Sequence, residues 1–280
     1  MKRLAATLVL VPVLLLLAGC GSSKDETTAT ATACTPDKLP TKAKGTLTVA
    51  TDKPAYPPYF EDDEPANGEG FESAVAYAIG KQLGYEPAQV KWTVEPFNSS
   101  YAPGPKDFDF DVNEISITPP RQKVVDFSSP YYTANQAVVA LKDSDAAKAT
   151  SIADLEDTKI GVQIGTTSLS AVEEVIDPSS QPEVFNSSND VVTALKNEQI
   201  DAVVVDLPTA LYLTAAQVPA ATVVGQFSAP GGDEWGALLA KGSALTACVS
   251  EAVDSIRESG ELAKITKRWM STAAGAPELR

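Results

Sequence analysis

The sequence predicts an α/β chain, on three observations. Short runs with strand-like apolar alternation, such as Thr46–Ala50 and Val90–Val94, recur along its length. Between them lie stretches with helical spacing, of which Phe71, Val75, Ala78, Ile79 and Leu83 mark the clearest face. Strand-like runs also end where a helix can begin, at Thr118-Pro119, at Gly165–Ser168 and at Asp206–Pro208. With 280 residues, 44% of them hydrophobic, the chain can bury one sizeable core or two smaller ones. Its formal charge of −15 argues against nucleic acid or an anionic membrane as a binding surface. The absence of His excludes a Ser-His-Asp triad and His-ligated zinc. No cofactor or metal is expected.

Taken in order, the chain opens on Lys2 and Arg3, an apolar run from Leu4 to Leu17, then small residues and Cys20. That is a signal peptide over residues 1–19, too short for a comfortable membrane span. Leu17-Ala18-Gly19-Cys20 resembles a bacterial lipobox, in which the Cys is lipidated and becomes the new N-terminus; ordinary secretory cleavage is the alternative. Gly21–Ala33 is polar and apolar-poor, so residues 20–44 read as lipidated Cys and flexible tether. Export places the remaining cysteines, Cys34 and Cys248, in an oxidising compartment, which favours a disulfide over two separate buried thiols.

The first strand ends at Thr51-Asp52 and runs into a loop with Tyr56 and Tyr59, a position where open α/β folds collect ligand contacts. Glu61–Glu69 reads as an exposed turn, and Gly84 closes the helix that starts near Phe71. After the strand Val90–Val94, Pro103 and Pro105 forbid a long helix over 97–107. Phe97 can face a pocket or the core. At 112–117 an apolar alternation leads to Thr118, which caps a short helix with Pro119 at its first position. Arg121 then stands in the first turn beside a strand end. Amide N–H groups and a guanidinium together suit a carboxylate, although a solvated surface Arg is the bland alternative. Further on, Thr133–Gln136 is a candidate crossover, and Gly165 to Ser168 begin a helix with free N–H groups but lack the Lys of a phosphate loop. Ser188 is expected to cap the next helix. Asp206, at the end of the buried strand 200–205, is either a helix cap or the counter-ion of an ammonium group. Ala229–Gly232 is the second candidate crossover, Leu245–Ile256 an amphipathic helix, and 273–280 a disordered tail.

The run ISITPPRQKVVDFSSPYY at 115–132 resembles the signature of the extracellular solute-binding proteins that serve polar amino-acid ABC importers. TLTVATDKPAYPPY, GFESAVAYAIGKQLG, IGVQIGTTS and IDAVVVD extend the likeness in order over roughly residues 45 to 272. The resemblance implies a two-lobed periplasmic-binding-protein-like fold with two crossovers and a discontinuous first lobe. Lobe I would comprise 45–134 and 229–272, lobe II 135–228. It implies that Arg121, helped by N–H groups at Ser116 and Thr167 and by Thr166, clamps an α-carboxylate, and that Asp206 holds the α-ammonium. An aromatic after the first strand, Tyr56, would cover the ligand, with Phe97 beside it. Asn113 and Glu114 stand where the family often has small residues, with Asp52 nearby; these larger polar groups suit a hydrogen-bonded or cationic ligand side chain, with Glu114 pointing away as the alternative. The family commonly has Asp where Glu72 stands, and a structural role is expected for it. The implied protein is a monomeric, lipid-anchored, extracytoplasmic binder of a polar amino acid, partnered by an ABC permease and not an enzyme. Two other classes compete: a secreted dehydratase of prephenate-like acids with Glu114 as its acid, and a binding lobe that feeds a sensor.

Overall fold

A computed structural model describes residues 34–270 and 275–280; the expected signal peptide, Cys20 and the tether before Cys34 lie outside the described residues. In lobe I, strands β1 (Leu47–Thr51), β2 (Val90–Val94), β3 (Phe110–Asp111) and β4 (Val125–Thr133) are joined by β10 (Glu234–Ala240) in the order β2-β1-β3-β10-β4. Strand β1 is parallel to β2 and β3, whereas β10 is antiparallel to β3 and β4. Lobe II repeats the plan. Strands β5 (Gln136–Leu141), β6 (Ile160–Gln163), β7 (Glu183–Phe185), β8 (Ala202–Asp206) and β9 (Ala221–Phe227) lie in the order β7-β6-β8-β5-β9. The chain passes from lobe I to lobe II between β4 and β5 and returns between β9 and β10. This is the expected two-lobed α/β fold, discontinuous in its first lobe.

Helices α1 (Phe71–Gln82), α7 (Thr246–Glu258) and α8 (Glu261–Trp269) pack on the lobe I sheet; α2 (Phe97–Ser100) and α3 (Pro119–Gln122) are single turns at its edge. Between them in the chain come the helices of lobe II: α4 (Thr167–Ala171), α5 (Ser188–Lys196) and α6 (Leu207–Tyr212). The start of α1 shows how tightly the pocket floor is built. A Cβ on Gly70, at φ 98°, would stand 2.3 Å from the Tyr59 carbonyl oxygen, so only glycine lets the helix begin against that loop. Leu47, Val49, Phe71, Val75, Ile79, Trp235, Val249 and Val253 are fully buried and form the lobe I core. Lobe II splits its core across the two faces of its sheet, with Val138 and Val204 on one side and Val139 and Val203 on the other.

Four expectations need correction or sharpening. The tether ends at Cys34 rather than 44, because Cys34 is disulfide-bonded to Cys248, Leu39 is buried, and the Lys42 N–H donates to Asp109 Oδ1 at 2.8 Å. Segment 97–107 is helical only over α2; past it, Lys106 Nζ closes the loop onto the carbonyls of Ser99 and Ala102. The cap of α5 is Ser187, whose Oγ accepts from the Asp190 N–H, while Ser188 donates to Gln163 Oε1 at 2.6 Å.

The tail is the fourth. Residues 275–280 are held against lobe II: the Gln226 N–H donates to the Pro277 carbonyl at 2.8 Å and the Leu279 N–H to the Gln226 carbonyl at 2.9 Å. Leu279 is buried in the lobe II core, and the residue beside it on β9 is Gly225, where a Cβ would collide with the Leu279 side chain. An apolar residue and an unpaired edge strand thus override a composition that reads as disordered. Deleting 275–280 is expected to cost about 2 kcal/mol, the value of one buried Leu, read as a lower urea midpoint at unchanged slope.

Candidate functional site

A cavity of about 410 Å³ lies between the lobes. Its lobe I wall contains Asp52, Tyr56, Phe97, Asn113, Glu114 and Ser116; Thr166, Thr167 and Asp206 face them from lobe II. Nine of the ten ligand-contact residues expected from sequence therefore meet at one place. The tenth, Arg121, stands one layer behind. Thr118, Pro119 and Pro120 set up its helical turn as expected, and Thr118 Oγ1 accepts from the Arg121 N–H. Its guanidinium donates to the Ser116 carbonyl at 2.8 Å and, across the cleft, to the Gly165 carbonyl at 2.9 Å. It lies 4.6 Å from the Tyr101 ring centroid and 5.4 Å from that of Phe97. Burial lowers its pKa, opposed by Tyr101, Asp233 and Asp206, yet a guanidinium at neutral pH stays charged. Arg121 thus orders both walls of the pocket with two of its donors.

Several contacts join the lobes around the cavity. Tyr59 Oη and Thr209 Oγ1 are 2.8 Å apart, Ser116 Oγ and Thr167 Oγ1 3.2 Å, and Tyr56 Oη bonds Asn189 Oδ1. The Tyr56 ring also sits 5.8 Å from that of Tyr212 in lobe II. These groups hold the lobes around the cavity.

Asp206 makes no capping bond to α6, although it occupies the N-cap position. Its Oδ1 accepts from Gln136 Nε2 at 2.6 Å, and the same nitrogen reaches Asp233 Oδ2 at 2.6 Å. Thr167 Oγ1 donates to that Asp233 oxygen, and Ser168 Oγ to Gln136 Oε1 at 2.6 Å. Burial first, and then the neighbouring Asp233 carboxylate, push the Asp206 carboxyl well above its ordinary range. Asp233 is fully buried, and its Oδ1 has no hydrogen-bond partner. Gln136 begins β5 and Asp233 precedes β10, so this network spans both crossovers. A cation placed at Asp206 would relieve the repulsion and supply missing donors.

The pocket floor carries a second carboxyl pair. Glu114 has φ 49°, an uncommon conformation for a non-glycine residue. Its N–H donates to Glu72 Oε1 at 2.8 Å, and the Tyr131 hydroxyl donates to the same oxygen. Asn113 is buried beside it with its Nδ2 lacking a partner, a donor available to a ligand. Asp52 ties the loop together, accepting from the N–H groups of Lys53 and Phe97 at 2.6 and 3.3 Å.

Sequence reasoning missed Gln136 and Asp233, and assigned Glu72 only a structural part. Gln136 and Asp233 are 97 residues apart, and only the meeting of the two crossovers brings them together. The one available signal was that each polar residue borders an apolar strand at a crossover.

A fold of two lobes hinged by two crossovers, with a polar cavity between them, defines a class that encloses a small solute. The bacterial extracellular solute-binding proteins, family 3, match residues 47–272, and the chain belongs to that family. The arginine-binding extracellular protein ArtP of Bacillus subtilis is 30% identical over 276 residues, 97% of this chain and 99% of that protein. An ancestral arginine-binding protein bound to arginine is similar in structure, with TM-score 0.68 and 33% identity over 80% of this chain and 98% of its own. An ancestral amino acid-binding protein, a precursor of cyclohexadienyl dehydratase, aligns with TM-score 0.65 and 32% identity over 80% of this chain and 95% of its own.

Proposed function

We propose that this protein binds a polar amino acid outside the cytoplasm, with a cationic side chain favoured, and hands it to the permease of an ABC importer. The observation that carries the reading is the cavity wall itself. At one end Asp206 faces the space with no salt-bridge partner of its own, close to the charged Arg121 and the free N–H groups that start α4. An α-ammonium at Asp206 and an α-carboxylate toward Arg121 and Thr167 complete those groups with one zwitterion. At the other end the carboxyls of Asp52 and Glu114 favour a side chain that donates hydrogen bonds, and a positive charge there would offset the two acids. ArtP and the ancestral structure, both named for arginine, support that choice. Because the ligand touches both lobes together only when they are closed, it stabilises the closed state. The chain acts as a monomer, anchored through lipidated Cys20.

A catalytic reading has one specific point in its favour: Glu114, half-buried among other acids, has its pKa pushed well above that of an ordinary carboxyl, as a general acid requires. The dehydratase precursor among the structural relatives is itself an amino acid-binding protein, which favours binding. A thermal-shift panel of the amino acids, run beside a turnover assay on prephenate and arogenate, separates the two. A ligand at a hundred times its Kd is expected to stabilise the protein by about 2.7 kcal/mol. A panel with no shift overturns the binding reading, and turnover of either acid replaces it.

A further inference from the structure

We infer that Glu72, a residue outside the ligand's reach, sets the pocket's preference for a cationic side chain by sharing a proton with Glu114, and that binding such a side chain expels a proton from the pair. The inference rests on the proposed cationic amino acid and adds to it a specificity-determining residue and a linked proton.

Glu72 lies on α1 beneath the pocket, fully buried. One carboxyl oxygen takes the N–H of Glu114 and the hydroxyl of Tyr131. Its other oxygen, Oε2, is buried without any donor. A fully buried carboxylate oxygen with no donor is costly, and a proton is the simplest remedy. The Glu114 carboxyl lies within hydrogen-bonding reach of Glu72 and lines the cavity. Two carboxyls in such contact cannot both ionise cheaply, so one proton between them supplies the missing donor. The backbone supports the same assignment. Glu72 accepts the Glu114 N–H while that residue sits at φ 49°, and so holds it in the conformation that aims its carboxyl at the cavity.

The surroundings make charge on the pair expensive. Asp111 on β3 acts on Glu72, Asp52 at the end of β1 and Asp206 at the end of β8 act on Glu114, and Tyr131 and Tyr59 lie against both glutamates. The groups acting most strongly on the pair are acidic or phenolic. Burial pushes Glu72 up to about 7, against the donors from Tyr131 and Glu114; burial and then the neighbouring Glu72 push Glu114 well above the ordinary carboxyl range. Below that range the doubly protonated pair is neutral, and above it the pair carries one negative charge. A cationic side chain needs the charged form, so it drives off a proton on binding at low pH. A neutral side chain does not.

The test compares L-arginine with its neutral isostere L-citrulline by titration calorimetry between about pH 5.5 and 8.5. Citrulline shares the α-ammonium and α-carboxylate, so the ratio of the two affinities removes any contribution from Asp206 and Asp233. The ratio is expected to rise about tenfold per pH unit up to a break near neutrality and then to level off. Buffers of different ionisation enthalpy should show about one proton released per arginine below the break. Glu72→Gln gives Glu114 an amide donor in place of a competing acid, and should move the break down by about a unit or more. Tyr131→Phe removes a donor from ionised Glu72 and should move it up. A merely structural Glu72 would weaken both ligands and leave the break in place. A flat ratio, or a break unmoved in both variants, overturns the proton link while leaving amino-acid binding intact. If neither ligand binds at any pH, the cationic reading and this inference fall together.

Discussion

Asp206→Asn is expected to weaken amino-acid binding by about 30-fold to several-thousand-fold, as befits the loss of one partner from a desolvated charge pair worth roughly 2–5 kcal/mol. The amide keeps the shape of the side chain and can still accept from Gln136, so the loss reports on charge. The same change should raise the stability of the ligand-free protein, since Asp206 is a half-buried acid beside the buried Asp233 and makes no cap to α6. Arg121→Ala should lose affinity over the same range but also lose stability, because its guanidinium bonds the Ser116 and Gly165 carbonyls of opposite lobes. Arg121→Lys cannot restore a two-pronged contact and should recover only part of either. Calorimetric titration with the amino acid found in the thermal panel, beside melts without ligand, reads all of these. Wild-type affinity in both the Asp206 and Arg121 variants would remove the zwitterion clamp.

Reduction of the Cys34–Cys248 disulfide should have the largest effect on stability. The bridge joins residues 214 apart with Cα atoms 5.5 Å from one another, and it pins the segment before β1 to α7. In the chain-entropy model a loop of that length is worth about 5 kcal/mol, with measured values often lower. For a domain of this size that corresponds to a melting temperature about 10–20 °C lower. Cys248 is buried against the lobe I core, so Cys248→Ser adds the cost of a buried hydroxyl; Cys34→Ser, at the half-buried end, isolates the crosslink better. Melts with and without reductant, with thiols counted by mass spectrometry, check it. An unchanged melt in fully reduced protein would show that the bridge constrains little.

What the sequence determined by itself was local. Alternating Leu47 and Val49, the helical spacing from Phe71 to Leu83 and the Thr118-Pro119 start each follow from chemistry within one or two turns of chain. They put β1, α1 and α3 where the structure has them, and the motif order was enough to indicate two lobes and the residues that meet in the cleft. Tertiary structure decided the rest, because it depended on contacts between distant segments. Arg121 steps back from the cavity because the Gly165 carbonyl arrives from the other lobe. Asp233 and Gln136 become neighbours of Asp206 only where two crossovers touch. The polar tail is ordered by a single Leu279 and the free edge of β9. Glu72 changes from a structural acid into a partner of Glu114 because α1 buries it beneath the turn after β3, whose Glu114 N–H it accepts.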